Sequence, residues 1–163
     1  MAESGARSEA PAPRAAARGI HGTLVAFDFG ERRIGVAVGE TSTGIASPLG
    51  AIEASANEAR FGAIAKLVDE WKPVAFVVGR PRHADASAHA TAKLAEKFAR
   101  RLAARHGLPV AFVDETLTSA EAESRLRGMR TRGERVGDVD ALAAALILQS
   151  YLDDPRSHEP PAP

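Results

Sequence analysis

Two periodicities of apolar residues divide this chain into its elements. From Gly22 to Gly30 the run GTLVAFDFG is apolar and β-prone until Asp28, and RRIGVAVGE, Arg32 to Glu40, is a second such run. Only a short turn at Gly30-Glu31 separates them, which predicts an antiparallel hairpin. SPLGAIEA, Ser47 to Ala54, predicts a third strand, with Pro48 near its start, where proline is tolerated. The period then changes. Phe61, Ile64, Leu67, Val68 and Trp71 recur at helical spacing behind an Asn57 N-cap, and Pro73 stops the helix.

VAFVVGR, Val74 to Arg80, is a continuous apolar run, as expected of a strand covered on both faces. A long helix follows from about Ser87 to His106, with Leu94, Phe98 and Leu102 spaced by four, ended by Gly107 and Pro109. PVAFVDE is another buried strand with an acidic end, Asp114 and Glu115. Thr118 and Glu121 have capping-box spacing for a helix through about Leu126. RLRGMRTRGER, Arg125 to Arg135, then reads as a flexible loop, and VDALAAALILQSYLDD as a buried closing helix. The order β-β-β-α-β-α-β-α-α predicts an α/β fold, a mixed sheet with helices on its faces.

The 163 residues suffice for one domain with a proper core, and 45% apolar with 26% charged residues is ordinary for a soluble globular chain. The absence of cysteine excludes disulfides and cysteine-based zinc sites. No apolar run approaches the ~18 residues of a membrane span. Residues 1–21, rich in Ala, Pro, Arg and Ser, lack a secretory apolar core and read as a disordered leader. The folded part is expected over 22–153 and a disordered tail over 154–163, in a cytoplasmic protein. The 21 Lys plus Arg balance 21 Asp plus Glu, which counts against a generic nucleic-acid binder unless the cations cluster.

Three carboxylates fall where element ends should converge. Asp28 ends the first strand, Glu115 the last, and Asp140 lies in the first turn of the closing helix. If the strands of Asp28 and Glu115 are neighbours, their ends are ~5 Å apart, and α/β sheets bind ligands at such carboxyl edges. Crowded carboxylates repel unless a cation joins them. An all-oxygen set suits Mg²⁺ or Mn²⁺, and two such ions ~4 Å apart make a clamp for in-line attack on a phosphodiester. Each acid also has a plainer role. Asp28 would serve as a turn residue paired with Arg32 or Arg33, Asp140 as a helix-dipole partner, and Glu115 as an exposed strand end. Convergence of the three favours the metal. Asp114 and Asp138 are further candidate ligands, Asp138 being better read as a cap of the closing helix.

DFGERRIGVAVGE with GIASPLGAI, then VVGRP, VAFVDETLTSAEA and VDALAAALILQSYL, resemble the YqgF family. These are Holliday-junction-resolvase-like proteins, also described as pre-16S rRNA nucleases, with an RNase H-like fold. The resemblance runs in order from about Gly22 to Leu152. It implies a five-stranded mixed sheet flanked by helices, a divalent metal, rRNA processing in the bacterial cytoplasm, and Asp28, Glu115 and Asp140 as catalytic metal-binding acids. The sequence departs from the family in two places. Thr116 follows Asp114-Glu115 where the family has Arg, and GRPRHADAS replaces a loop with an Asp-Gly pair, where Arg80, Arg82 and His83 offer a substitute phosphate contact.

Five arginines, Arg125, Arg127, Arg130, Arg132 and Arg135, immediately precede Asp140, with Glu134 the one acid between the first and the last. Such a stretch beside an acidic site would hold a phosphate backbone, and Arg32 and Arg33 would extend it unless one is held internally. A plain solvated charge run is the alternative. With 5% aromatic residues, recognition should read backbone and shape rather than bases. The expected partner is RNA (pre-rRNA) or structured DNA. Because no stretch marks a dimer interface, the protein is expected to act as a monomer or weak homodimer, which favours RNA over a two-fold junction. DFGERRIGVAV also resembles the phosphate hairpin of actin, Hsp70 and sugar kinases, but those proteins need a second such domain to enclose ATP, which these 163 residues are not expected to supply. A non-catalytic RNA-binding module stays open on the Thr116 departure and the zero net charge.

Overall fold

Three strands open the fold, β1 (Thr23–Asp28), β2 (Arg33–Glu40) and β3 (Ile45–Glu53). They are followed by α1 (Asn57–Trp71), β4 (Ala75–Arg80), α2 (Ala86–His106), β5 (Val110–Asp114), α3 (Ala120–Thr131) and α4 (Val136–Asp153). The computed structural model of the chain describes residues 20–81, 86–114 and 120–155, with backbone alone for 86–88 and 120–123. Glu115, Thr116, Thr118, Arg82 and His83 therefore lie outside the described residues, as do residues 1–19 and 156–163.

The five strands form one sheet in the order β3-β2-β1-β4-β5. β1, β2 and β3 pair antiparallel, while β4 pairs parallel with β1 and with β5. This is the mixed sheet expected. The acid-bearing strands β1 and β5 are not neighbours, however. β2 takes one edge of β1 and β4 the other, so β5 finds its free edge on β4 and lies two strand spacings, ~10 Å, from β1.

Side-chain alternation gives each sheet face its own core. Val25, Phe27, Ile34, Val36, Phe76, Val78 and Phe112 point towards Phe61 and Ile64 of α1 and Phe98 and Leu102 of α2. Leu24, Ala26, Ala37, Ala75, Val77, Ala111 and Val113 point the other way, where α4 lays Ala144, Ala145, Ile147, Leu148 and Tyr151. The second face is built from smaller side chains, so α4 lies close to the sheet. No described helix is long and apolar enough to cross a membrane.

Four local expectations change. β3 begins at Ile45, which puts Pro48 inside the strand. An edge strand tolerates it, and a bulge helps: Val36 pairs with Gly50 and Ala37 with Pro48, leaving Leu49 as the extra residue. At α1 the N-cap is Ala56, without a side-chain cap bond, and Asn57 is already helical.

The arginine-rich stretch is mostly helix rather than loop. α3 continues to Thr131, because arginine is a good helix former and one internal Gly128 costs only about 1 kcal/mol. It ends in a Schellman motif: Gly133, at φ 75°, donates to Arg130 O at 3.1 Å and Glu134 to Met129 O at 3.0 Å. α4 in turn begins at Val136, so Asp140 sits in its second turn, and Arg135, not Asp138, is its N-cap. The helix-dipole role for Asp140 weakens accordingly, since that effect fades within the first turn.

Candidate acidic site at the carboxyl edge of the sheet

Strand register builds the site. Asp28 is opposite Gly35 on β2 and Gly79 on β4, Gly35 is opposite Ala51 on β3, and Gly79 is opposite Val113 on β5. Leu24 and Ala26 belong to the α4-side core, so by alternation Asp28 faces α4 as well. The row Ala51, Gly35, Asp28, Gly79, Val113 is thus small beside the acid on both sides.

The start of α4 settles onto this row. A Cβ placed on Gly35 would lie 2.0 Å from the carbonyl oxygen of Asp140 and 3.2 Å from its Cβ. Gly137 approaches Ala51 in the same way, its notional Cβ 3.7 Å from the alanine methyl. Backbone contact over a glycine therefore brings Asp140 beside Asp28, on one face of the sheet. A glycine within an apolar strand is the sequence signal for such an approach.

Arg33, the first residue of β2, fixes the second acid. Its Nε donates to Asp140 Oδ2 at 2.8 Å, with both side chains partly exposed. Arg33 is therefore the internally held member of the Arg32-Arg33 pair, the alternative that the sequence left open for one of the two. Arg32 is exposed.

Arg60 had no assigned role in the sequence, yet it holds the β1–β2 turn. Only 6% exposed, it donates from Nε to Ala54 O at 2.6 Å and from Nη2 to Gly30 O at 3.0 Å and to Glu31 O. Its guanidinium also lies 5.4 Å from the centre of the Phe29 ring. Burial lowers its pKa below the usual arginine range, with the charge of Glu31 opposing that shift. The available signal was its place on the inward stripe of α1, one turn before Ile64. Arg60→Met leaves the carbonyls without their donor and is expected to cost about 2–4 kcal/mol in denaturant unfolding. A loss below about 0.5 kcal/mol would show that the turn holds itself.

Asp114 and Arg80 belong to the opposite face and to each other. Arg80 Nε is 3.5 Å from Asp114 Oδ1, Nη1 is 3.1 Å from Glu96 Oε2, and the guanidinium lies 4.6 Å from the centre of the Phe112 ring. Asp114 thus faces away from Asp28, and Arg80 is engaged with Asp114 and Glu96. Asp138 is exposed, 4.0 Å from Arg135 Nε. Arg125, Arg127, Arg130, Arg132 and Arg135 are all exposed, the first three on α3, while Arg132 reaches Glu134 at 3.4 Å.

Among the described residues no group of three His, Cys, Asp or Glu is placed to hold a metal ion. Two carboxylates, Asp28 and Asp140, do share a face, and a pair of hard oxygen donors suits Mg²⁺, which keeps several waters and takes one or two carboxylates.

The profile of the RuvX family, described as Holliday junction resolvase, matches residues 22–154. A protein of Dechloromonas aromatica (strain RCB) named "Putative pre-16S rRNA nuclease" is 52% identical over 143 residues, 87% of this chain and 98% of that protein. One of the same name from Methylobacillus flagellatus is 50% identical over 144 residues, 88% of this chain and 97% of that protein. Among solved structures, T. thermophilus RuvC in complex with Holliday junction substrate superposes with a TM-score of 0.56 at 18% identity, covering 86% of this chain and 100% of that one. At that identity the likeness establishes the fold, which is RNase H-like.

Proposed function

The chain belongs to the RuvX family, and from that premise we propose that it is a metal-dependent nuclease that hydrolyses phosphodiester bonds and processes the 5′ end of pre-16S rRNA in the cytoplasm. One observation carries the reading: the Asp140 backbone lies over Gly35, the cross-strand partner of Asp28, so two acids distant in sequence occupy one face. Glu115 completes the set in this proposal on the strength of its sequence position.

The roles follow from chemistry. Asp28, Asp140 and Glu115 hold Mg²⁺ or Mn²⁺, which when bound supplies a water of lowered pKa and charge stabilisation at the leaving oxygen. Arg33 keeps the Asp140 carboxylate oriented by its 2.8 Å bond. The exposed arginines of α3 and the α3–α4 turn, with Arg32, face the phosphate backbone. A monomer or weak homodimer suffices for a single-strand cut. Cleavage of a four-way DNA junction is the second reading, favoured by the family description and by the RuvC complex.

The test is a labelled pre-16S rRNA 5′ fragment and a synthetic four-way junction, each incubated with Mn²⁺, Mg²⁺ or EDTA. Wild type should cut the RNA only with a divalent ion, and Glu115→Gln should not cut it. Cutting of the junction alone would move the substrate to DNA. Metal-independent cutting would sink the acidic site as its source.

A further inference from the structure

The exposed side of α2 concentrates positive charge in a chain that is neutral overall. Over Ala86–His106 stand Lys93, Lys97, Arg100, Arg101 and Arg105 against one acid, Glu96. That acid is taken by Arg80 at 3.1 Å. Lys93, Lys97, Arg101 and Arg105 succeed one another at intervals of four and so form a stripe along the helix. Arg105 rests over the Phe61 ring at 4.3 Å.

Lys97 and Arg101 have no ion pair among the described residues. They line a pocket of about 230 Å³ together with Phe29, Glu31, Asn57 and Arg60. Arg60 spends Nε and Nη2 on backbone carbonyls, which leaves its Nη1 uncommitted. Three cations thus face a single carboxylate, Glu31, in a half-enclosed space. Phe29 is the residue after Asp28, so the pocket opens at the same sheet edge as the acids, and α1 and α2 place it on the opposite face.

We propose that this pocket seats a phosphate of a nucleic-acid strand that rounds the carboxyl edge of the sheet from the acidic site, with the α2 stripe guiding the backbone away from it. The inference rests on the nuclease reading above and extends it to a second contact surface. The volume excludes a large enclosed ligand, and the basic stripe of α2 running from it favours a polymer. This volume falls below the roughly 300–1,000 Å³ of sites that enclose a whole ligand, yet it admits one phosphate of a strand lying across its mouth. The charge is of the right sign, three cations against the one carboxylate of Glu31.

The test uses the full chain and a fluorescent pre-16S rRNA 5′ fragment in EDTA, with anisotropy measured across KCl concentrations. Lys97→Gln/Arg101→Gln should weaken binding about tenfold near ~100 mM KCl. It should also flatten the slope of log K against log salt by about 0.7, the value of one lost single-strand phosphate contact. Lys66→Gln, on α1 and outside the pocket, should change neither. Lys97 is exposed, so Lys97→Gln alone folds as wild type and should give about half the slope change. If wild type cuts RNA while the double variant binds with unchanged Kd and slope, the pocket assignment is overturned and the nuclease reading survives. A wild type that neither binds nor cuts RNA or junction overturns both. Displacement of the RNA by inorganic phosphate or AMP at low concentration would make this a free-phosphate site and overturn the polymer assignment.

Discussion

Asp28→Asn is expected to abolish metal-dependent cleavage while leaving the protein folded. Asn has nearly the shape of Asp but no charge, so a hard cation loses one of its few anionic donors. A metal acting as Lewis acid contributes several kcal/mol to the transition state. A fall of at least about a thousandfold in rate, or about 4 kcal/mol, is the corresponding expectation. Folding should survive because the strand keeps its pairing with Gly35 and Gly79, which uses backbone atoms. The measurements are single-turnover cleavage with Mn²⁺ and a thermal melt of the same preparation. Undiminished cleavage by a clean Asp28→Asn preparation sinks the assignment of Asp28. A lost activity accompanied by a collapsed melt would make Asp28 a structural residue instead.

Gly35→Ala should be the most damaging small substitution in the chain. The new Cβ would stand 2.0 Å from the Asp140 carbonyl oxygen and 2.6 Å from its carbonyl carbon, both backbone atoms. No rotamer change relieves such a contact, so either α4 lifts or β2 shifts. Overpacking of a well-packed site costs about 1–3 kcal/mol and sometimes more, and a backbone clash belongs at the top of that range. A drop of about 3 kcal/mol lowers Tm by roughly 6–12 °C in a chain of this size. Any lifting of α4 also carries Asp140 away from Asp28, so cleavage should fall more than the loss of folded protein explains. Gly50→Ala is the control, since nothing lies within 4 Å of a Cβ there. A Gly35→Ala protein with wild-type Tm and activity would show that α4 does not dock as the structure has it.

The element order and the helical or extended character of most segments were legible in the chain. Period-2 and helical spacing are local properties, and burial on a sheet face or helix stripe enforces them residue by residue. The arginine stretch was misjudged for a related reason. Its charge and glycines read as loop, yet arginine propagates a helix well, and Gly133 marks the helix end rather than general flexibility. Arg60 escaped for the opposite reason. It looks like a surface cation in sequence, and only its partners, the carbonyls of Ala54, Gly30 and Glu31, reveal what it does; for Arg33 the sequence left internal pairing open, and the carboxylate of Asp140 is the partner.

By itself, then, the sequence determined which residues are strand, helix and acid, because those follow from short-range pattern and side-chain chemistry. Which acids share a face was decided only by the tertiary structure. β4 came between β1 and β5, an order that the strand patterns left open, with β2 on the other edge of β1. Asp140 reached Asp28 because a glycine at position 35 let a helix backbone rest directly on the strand. Contacts of that kind join residues far apart in the chain, and no local periodicity encodes them.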